Sequence, residues 1–255
     1  MRKNLMMSLA VVALLGVAAC ETMSGGGETA VTASSANIVA AVADPARPQA
    51  DKDRDANRKP ADMTAFGEVR PGDKVGELVP GAGYMTRVLS KSVGPSGHVY
   101  LINSPPRQAG TPQAFQPLLD DKANYPNLSF VLSDFKTLSV PEPLDLVWTS
   151  QNYHDLHNPG RNLDIVAVNK LIYNALKPGG IYVVLDHQTA KGVEFSADLH
   201  RIDEAKVKSE VEAAGFKYVG SSAVLRNPAD DGTKAIFDAS IRGKTDQFIL
   251  KFRKP

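Results

Sequence analysis

The chain has 255 residues, and 29 lysines and arginines against 28 aspartates and glutamates leave a formal net charge of +1. This balance gives no electrostatic footprint for nucleic acid, so we expect a small-molecule partner and no nucleic-acid partner. The single cysteine, Cys20, excludes an intramolecular disulfide and leaves no catalytic thiol for the folded part. The length suits one α/β domain with a tail, and the sequence does not specify an oligomeric state.

The N-terminus has the pattern of an export signal. Arg2 and Lys3 precede an apolar run over 9–19 that is too short to span a bilayer and ends in VAAC at Cys20. This is typical of a bacterial lipoprotein signal; the alternatives are a plain secretory signal and an uncleaved anchor. We predict that 1–19 is a cleaved signal peptide. The protein is then periplasmic, and its one membrane contact is a lipid on Cys20, at the outer membrane.

A tether and a charged segment follow this signal. Residues 20–47 are rich in Gly, Ser, Thr and Ala and predict a flexible tether, so the domain is expected at 48–255. It begins with a charged, helical piece over 48–60. We favour a solvated helix at the domain edge, because charge runs are usually solvated. In the alternative, three cations of this piece help to close a ligand site: Arg54, Arg58 and Lys59.

The central unit of the domain is the stretch DKVGELVPGAGYMTRVLS over 73–90. Its apolar first half predicts a buried strand, and Tyr84, Val88 and Leu89 fall at helical spacing after the turn. Glycines in such a turn let the backbone approach a ligand, and the helix N-terminus offers free N–H groups. The third glycine of a dinucleotide motif is absent. The alternative is an ordinary strand–helix turn without a ligand.

Further strands are predicted at 97–102, 128–132, 144–150 and 181–185, separated by helices that include 163–176. In open α/β sheets, ligands bind beyond the carboxyl ends of the strands, so the polar tract QNYHDLH after the fourth strand is expected over the site. A helix over 197–214 and a hairpin built from 216–225 and 246–252 complete the prediction. A long connection joins the two hairpin strands, and connections of this length are usually functional or mobile. One interpretation is that it forms a lid.

The pattern acid-x-x-x-Gly-x-Gly from Glu77 to Gly83 and the run LKPGGIYVV over 176–184 resemble the class I S-adenosylmethionine-dependent methyltransferases. The tract NYHDLHN and the segment 225–255 further resemble a bacterial group of exported predicted methyltransferases. The resemblance implies an α/β, Rossmann-like fold. Its seven-stranded, mostly parallel sheet has the order 3-2-1-4-5-7-6, a C-terminal antiparallel hairpin and helices on both faces. Val79 departs from the family, which usually has its first glycine at this position.

The resemblance also implies an S-adenosylmethionine site at the ends of the first four strands. Asn103 stands where the family has an acid for the ribose; its amide can accept and donate but carries no charge. Asp134 would face the adenine with Phe135 stacking, although Asp134 suits a turn or cap equally well. The implied cofactor residues are Glu77, Pro80, Gly81, Ala82, Gly83, Tyr84, Asn103, Asp134, Phe135, Ser150 and Gln151.

Methyl transfer mainly requires that donor and acceptor are positioned, and a general base helps when the acceptor loses a proton. The candidate bases are His154 and His187, because imidazole titrates near neutrality. Tyr153 and Asp155 are candidates for orienting the acceptor. The alternative for either histidine is a structural hydrogen-bonding role, and we assign no metal ligand.

Three functions stay open at this point. The first is methyl transfer to a small molecule or an envelope component. The second is an exported, non-catalytic ligand-binding module that retains the fold, since S-adenosylmethionine is made in the cytosol. The third and weakest is metal-assisted hydrolysis, for which the histidines of HDLH fall at i, i+3. Its residues would be His154, His157, Asp186 and His187.

Overall fold

The computed structural model describes residues 35–106 and 108–255; the predicted signal peptide, Cys20 and the first part of the tether lie outside these residues. The described helices are α1 (Ala36–Ala43), α2 (Gln49–Lys52), α3 (Asp55–Arg58), α4 (Pro60–Phe66), α5 (Tyr84–Val93), α6 (Gln116–Asp120), α7 (Tyr153–Leu156), α8 (Ile165–Ala175) and α9 (Glu204–Ala213), with a 3-10 turn at Pro159–Arg161. The strands are β1 (Lys74–Leu78), β2 (His98–Asn103), β3 (Leu128–Leu132), β4 (Leu144–Ser150), β5 (Leu176–His187), β6 (Phe195–Ser196), β7 (Arg201–Ile202), β8 (Lys217–Ser222) and β9 (Gln247–Arg253).

The main sheet has seven strands in the order β3-β2-β1-β4-β5-β9-β8. The first five pair in parallel, and β9 pairs antiparallel with both β5 and β8. Numbered within this sheet alone, the order is 3-2-1-4-5-7-6, so the predicted fold class is confirmed. The strand order in the sheet changes direction between β1 and β4, which are neighbours. The carboxyl ends of these two strands form a crevice of the kind that binds ligands.

The core lies on both faces of this sheet, because side chains of the buried strands alternate between them. In β4, Val147 belongs to the cluster beneath α8 and α9, whereas Trp148 belongs to the cluster beneath α4 and α5. Val147 and Trp148 are both fully buried. The sheet is therefore covered by helices on both sides, and this packing fixes the strand ends at which the site forms.

The N-terminal boundary differs from the prediction. Residues 36–43, expected within the flexible tether 20–47, form α1, which buries Ile38 and Ala41 against the domain. Asn37 Nδ2 donates a hydrogen bond of 2.9 Å to the carbonyl oxygen of Ser92 in α5. The tether prediction is wrong for this part, because a short alanine-rich helix has too few large apolar residues to show its buried face in the sequence.

The predicted helix over 197–214 is shorter in the structure. Only α9 is helical, and Asp203 caps it by accepting hydrogen bonds from the backbone N–H groups of Ala205 and Lys206. The residues before this cap form the small β6–β7 hairpin, with Phe195 opposite Ile202. The apolar residue Ile202 fits either pattern by spacing, so the aspartate cap was the better indicator of the helix start.

The long connection over 226–244 is attached to the domain by a buried ion pair. Arg201 Nη2 lies 2.8 Å from Asp230 Oδ2, and Arg201 Nε donates to the carbonyl oxygen of Lys234 at 2.8 Å. The backbone N–H of Asp246 donates to the same carboxylate at 2.7 Å. These contacts hold the middle of the connection against the β6–β7 hairpin.

Within 35–106 and 108–255, the structure contains no helix with the length and apolar character needed to cross a membrane.

Candidate functional site

A cavity of about 300 Å³ opens where β1 and β4 end. Seven of the predicted cofactor residues line it, together with Asp155, so the crevice forms where the sequence placed it. The remaining lining includes two arginines of the N-terminal segment that precedes the sheet. The lining residues are Arg54, Arg58, Glu77, Leu78, Val79, Pro80, Gly81, Ala82, Tyr84, Met85, Ser150, Gln151, Asn152 and Asp155.

The turn after β1 contains two glycines with different tasks. Gly81 has φ +59°, and a Cβ built there meets no atom within 4 Å, so this glycine leaves open space in the cavity wall. A Cβ on Gly83 would lie 2.0 Å from Leu118 Cδ1, so Gly83 serves packing and does not line the cavity. Val79 has φ +49°, a strained backbone for a β-branched residue, and such a backbone suits the glycine that the family resemblance implies at this position.

Glu77 lies beneath this turn and is almost completely buried. Its Oε2 accepts a hydrogen bond of 2.6 Å from Thr86 Oγ1 in the first turn of α5. Burial raises the pKa of Glu77 to about 8, and neither this hydrogen bond nor the positive charge of Arg58 offsets the effect. The carboxyl group is therefore largely protonated at neutral pH in the ligand-free protein.

The N-terminal arginines close one side of the cavity. Arg58 Nη1 donates to Gln151 Oε1 at 2.7 Å, and its guanidinium carbon lies 4.4 Å from the centre of the Tyr84 ring. The Tyr84 hydroxyl donates to Asp55 Oδ1 at 2.6 Å, which fixes the ring. Arg54 and Arg58 therefore lie where the less favoured interpretation of the charged segment placed them, beside the cavity. Lys59 lines a different pocket.

Asn152 also lines the cavity, and the sequence analysis did not select it. Its Nδ2 donates to the carbonyl oxygens of Leu78 and Val79 at 3.2 and 3.1 Å, and its Oδ1 accepts from Thr149 Oγ1. The side chain therefore joins the ends of β1 and β4. Its position in the polar tract immediately after the fourth strand was the available signal.

Besides Gly83, three predicted cofactor residues do not line the cavity. Asn103 Nδ2 donates to Gln113 Oε1 at 2.9 Å, so this amide is engaged within the protein. Asp134 accepts from the backbone N–H of Thr137 at 2.9 Å, as the turn alternative predicted. Phe135 is buried in the core with φ +61°. The cavity thus contains the motif side of the predicted site, and the residues predicted for the ribose and the adenine lie outside its lining.

A second, larger cavity of about 470 Å³ adjoins the first. Both cavities are lined by Arg54, Arg58 and Gln151. Gln151 stands between them with φ +61°, accepting from Arg58 and donating from Nε2 to Gln247 Oε1 at 2.7 Å. The other lining residues are Asn57, His187, Ile236, Phe237, Arg242, Gly243 and Gln247.

The four predicted catalytic residues do not line one cavity: Asp155 lines the first and His187 the second. His187 lines the second cavity with its Nδ1 2.8 Å from Thr245 Oγ1, and burial lowers its pKa to about 3. It is therefore neutral at pH 7 and a weak base. Tyr153 lines neither cavity: its hydroxyl donates to Glu210 Oε2 at 3.0 Å and accepts from Asn169 Nδ2 at 2.8 Å in the core. This position does not suit the orienting role predicted for Tyr153.

His154 is buried behind the first cavity, where its Nδ1 lies 2.8 Å from Asp186 Oδ1. Burial lowers the pKa of His154, but the charge and the hydrogen bond of Asp186, together with the charge of Asp155, outweigh burial and raise this pKa above its ordinary value. The histidine predicted as its metal-binding neighbour, His157, instead lies 3.0 Å from Glu210 Oε2. The set predicted for hydrolysis therefore does not converge on one point.

Sheet order, helix placement and the glycine turn together define the fold of the class I S-adenosylmethionine-dependent methyltransferases. The structure superposes on a SAM-dependent methyltransferase from Aquifex aeolicus with a TM-score of 0.57 and 17% identity, covering 82% of this chain and 99% of that one. The [4+2]-cyclase SpnF also gives a TM-score of 0.57 at 17% identity, and the superposition covers 78% of this chain and 82% of the cyclase. At these identities the likeness shows the fold.

Sequence comparison gives relatives over part of the chain, and no protein-family model matches. The ubiquinone/menaquinone biosynthesis C-methyltransferase UbiE of Hydrogenovibrio crunogenus is 30% identical over 121 residues, 46% of this chain and 43% of the relative. A protein-L-isoaspartate O-methyltransferase of Methanothrix thermoacetophila is 32% identical over 119 residues, which are 46% of this chain and 49% of the relative. The chain thus spans about half the length of these relatives. Relatives and structural neighbours point to the class I S-adenosylmethionine-dependent methyltransferase family, as the resemblance predicted.

Proposed function

We propose that this protein binds S-adenosylmethionine in the first cavity and transfers its methyl group to a small-molecule or envelope acceptor in the second. The observation that carries the proposal is the first cavity itself, built on the glycine turn at the ends of β1 and β4. The two relatives described above differ in name, one being a C-methyltransferase of ubiquinone/menaquinone biosynthesis and the other a protein-L-isoaspartate O-methyltransferase, so neither name defines the acceptor of this chain.

The polar groups of the cavity fit such a ligand. Among the described residues, Arg58 Nε and Ser150 Oγ are buried without a hydrogen-bond partner, and both residues line the cavity. Buried polar atoms without partners are costly, so these two favour a polar occupant. Arg54 and Arg58 offer positive charge to the carboxylate of the amino-acid part, and the open space beside Gly81 admits the ligand to the backbone.

When bound, S-adenosylmethionine supplies a methyl group on a positively charged sulfur, and an acceptor lone pair bonds to this carbon as the carbon–sulfur bond breaks. The protein residues mainly position the two partners. Gln151 lies in the wall that the cavities share, so it can contact both. Neutral His187, with Nδ1 at Thr245, can offer its other ring nitrogen as a hydrogen-bonding group; its low pKa suits positioning better than proton removal.

A ligand-binding module without methyl transfer is the second candidate function. It is favoured by the engaged side chain of Asn103 and by the positions of Asp134 and Phe135 outside the cavity. The same fold also occurs in a protein described as a cyclase, so the fold does not by itself imply methyl transfer.

Calorimetric titration of the full chain with S-adenosylmethionine and S-adenosylhomocysteine, with NAD as the control, tests the proposal. We expect micromolar binding of the first two and none of NAD. Binding without product formation across an acceptor screen would favour the module, and a folded protein that binds neither compound would refute the cofactor assignment.

The buried carboxyl group of Glu77 leads to a separate prediction, the release of a proton when the ligand binds. Its pKa of about 8 belongs to the ligand-free protein, and a cationic ligand beside it favours the charged carboxylate and lowers that pKa. Binding at pH 7 should therefore release up to about one proton, and affinity should rise with pH until about pH 8. Calorimetry in two buffers with different ionisation enthalpies measures this release. Glu77→Gln should abolish it, and equal heats in both buffers for the unsubstituted protein would contradict the assignment.

We further propose that residues 1–19 direct export and that a lipid on Cys20 holds the protein at the periplasmic side of the envelope. The pattern around Cys20 supports this placement. It also requires that the cofactor be supplied outside the cytosol. Globomycin-sensitive processing of the precursor, lost in Cys20→Ala, would be the expected result; a cytosolic, unprocessed chain would exclude it.

A further inference from the structure

Three side chains close to one another have the donor set of a metal centre. His154 Nε2 lies 3.3 Å from His200 Nδ1 and 3.6 Å from Asp155 Oδ1, and the last two atoms are 3.8 Å apart. Two imidazole nitrogens and one carboxylate oxygen therefore converge on one point. His200 was not selected from the sequence, because it lies 46 positions from His154, in the β6–β7 turn.

The spacing of these donors matches a bound metal. Zinc–ligand distances of about 2.1 Å in a tetrahedral site place neighbouring donor atoms about 3.4 Å apart. The observed separations lie within a few tenths of an ångström of that value. Three protein ligands leave at least one coordination position for water or a substrate, which is the arrangement of catalytic rather than structural sites.

Asp186 orients His154 for this purpose. Its Oδ1 lies 2.8 Å from His154 Nδ1, and its Oδ2 accepts from the backbone N–H of His154 at 2.7 Å. A proton held on Nδ1 by the carboxylate leaves the Nε2 lone pair directed at the cluster. Metal-binding histidines commonly have such a carboxylate behind the ligating ring. Asp186 is fully buried, so this orientation is rigid.

The other members of the cluster are accessible. The side chains of His200 and Asp155 are 35% and 31% exposed, so an ion can reach the donors. His200 has φ +56°, an uncommon backbone for a histidine, and such strain is concentrated at functional positions. The edge of its ring meets Phe237 of the long connection at a centroid distance of 5.1 Å.

We propose that His154, Asp155 and His200 form a site for one divalent transition-metal ion of the zinc type. Two imidazoles favour such an ion over magnesium or calcium, which prefer oxygen donors. Because Asp155 also lines the first cavity, the ion would stand at the edge of that cavity. A metal lowers the pKa of a bound water or hydroxyl group. The use of this effect on a methyl acceptor rests on the proposed function, whereas metal binding does not.

Metal titration of the full chain without S-adenosylmethionine tests the site. The chelator-treated protein is titrated with Zn²⁺ by calorimetry and with Co²⁺ by visible absorption, where ligand-field bands report nitrogen and oxygen coordination. We expect one ion per chain. His200→Gly, which suits the left-handed backbone, and Asp155→Asn should weaken binding more than about 100-fold, and Asp186→Asn about 10- to 100-fold. His98→Gln is the control, since its ring pairs with Ser129 far from the cluster.

The outcomes separate the two proposals. Absence of stoichiometric binding, or undiminished binding by a folded His200→Gly protein, would overturn the metal site, whatever S-adenosylmethionine does. Metal binding that depends on His200 and Asp155 would support the site even in a protein that binds no S-adenosylmethionine. Circular dichroism of each variant establishes that the domain is folded.

Discussion

Gly81→Arg is expected to abolish S-adenosylmethionine binding while the domain stays folded. The new side chain would start in the open space beside the turn, where no atom lies within 4 Å of a Cβ. It would enter the cavity next to the two arginines and add a third positive charge. We expect the dissociation constant to rise at least about 100-fold, or about 2.7 kcal/mol, in the calorimetric titration.

The matched control is Gly179→Arg. Gly179 has φ +79°, and a Cβ there also meets nothing within 4 Å, but this glycine lies at the opposite end of the sheet, near the start of β5. Both substitutions place a side chain on a left-handed backbone and should cost about 1–2 kcal/mol of folding stability. Only Gly81→Arg should lose binding. Equal affinities in the two variants would show that the ligand binds elsewhere.

Asp230→Ala is expected to be strongly destabilising. Its carboxylate pairs with Arg201, and the two side chains are 2% and 0% exposed. Removing one member of a buried pair leaves the other charge without compensation and costs about 3–5 kcal/mol. For a domain of this size the melting temperature should fall by roughly 10 °C, measured by calorimetry.

Asp231→Ala is the control, because the adjacent carboxylate is exposed and accepts mainly from Thr233 within its own turn. It should change the melting temperature much less than Asp230→Ala does. Similar losses in the two variants would mean that the Arg201 pair does not attach the connection over 226–244. If the pair does attach it, Asp230→Ala should also expose this connection to limited proteolysis, which bears on the lid interpretation.

The site depends on the N-terminal segment as well as on the sheet. Arg58 reaches Gln151 across 93 positions of sequence, and the same arginine packs on Tyr84. Asp55 accepts a hydrogen bond from the Tyr84 hydroxyl and forms an ion pair with Arg47 at 2.7 Å. The segment that the sequence analysis treated mainly as a solvated edge therefore forms a wall of both cavities. A truncated protein that lacks it would lose this wall.

Local sequence determined the strands and the turn. The strands over 128–132 and 144–150 have the predicted bounds, because each shows its short apolar run directly in the sequence. The turn from Val79 to Gly83 was evident because its backbone angles require glycine at Gly81 and Gly83, and these residues stand in the sequence. The sheet order followed from the family resemblance, and the structure confirms it.

Tertiary structure decided which polar side chains belong to the site. The sequence placed Asn103, Asp134 and Gln151 alike at strand ends, yet Asn103 pairs with Gln113 and Asp134 with its own turn, and only Gln151 lines the cavities. His200 meets His154 because the β6–β7 hairpin folds back over α7. A strand end specifies where a residue is, but the partner of a polar side chain depends on groups that are distant in sequence, and only the packed chain brings these groups together.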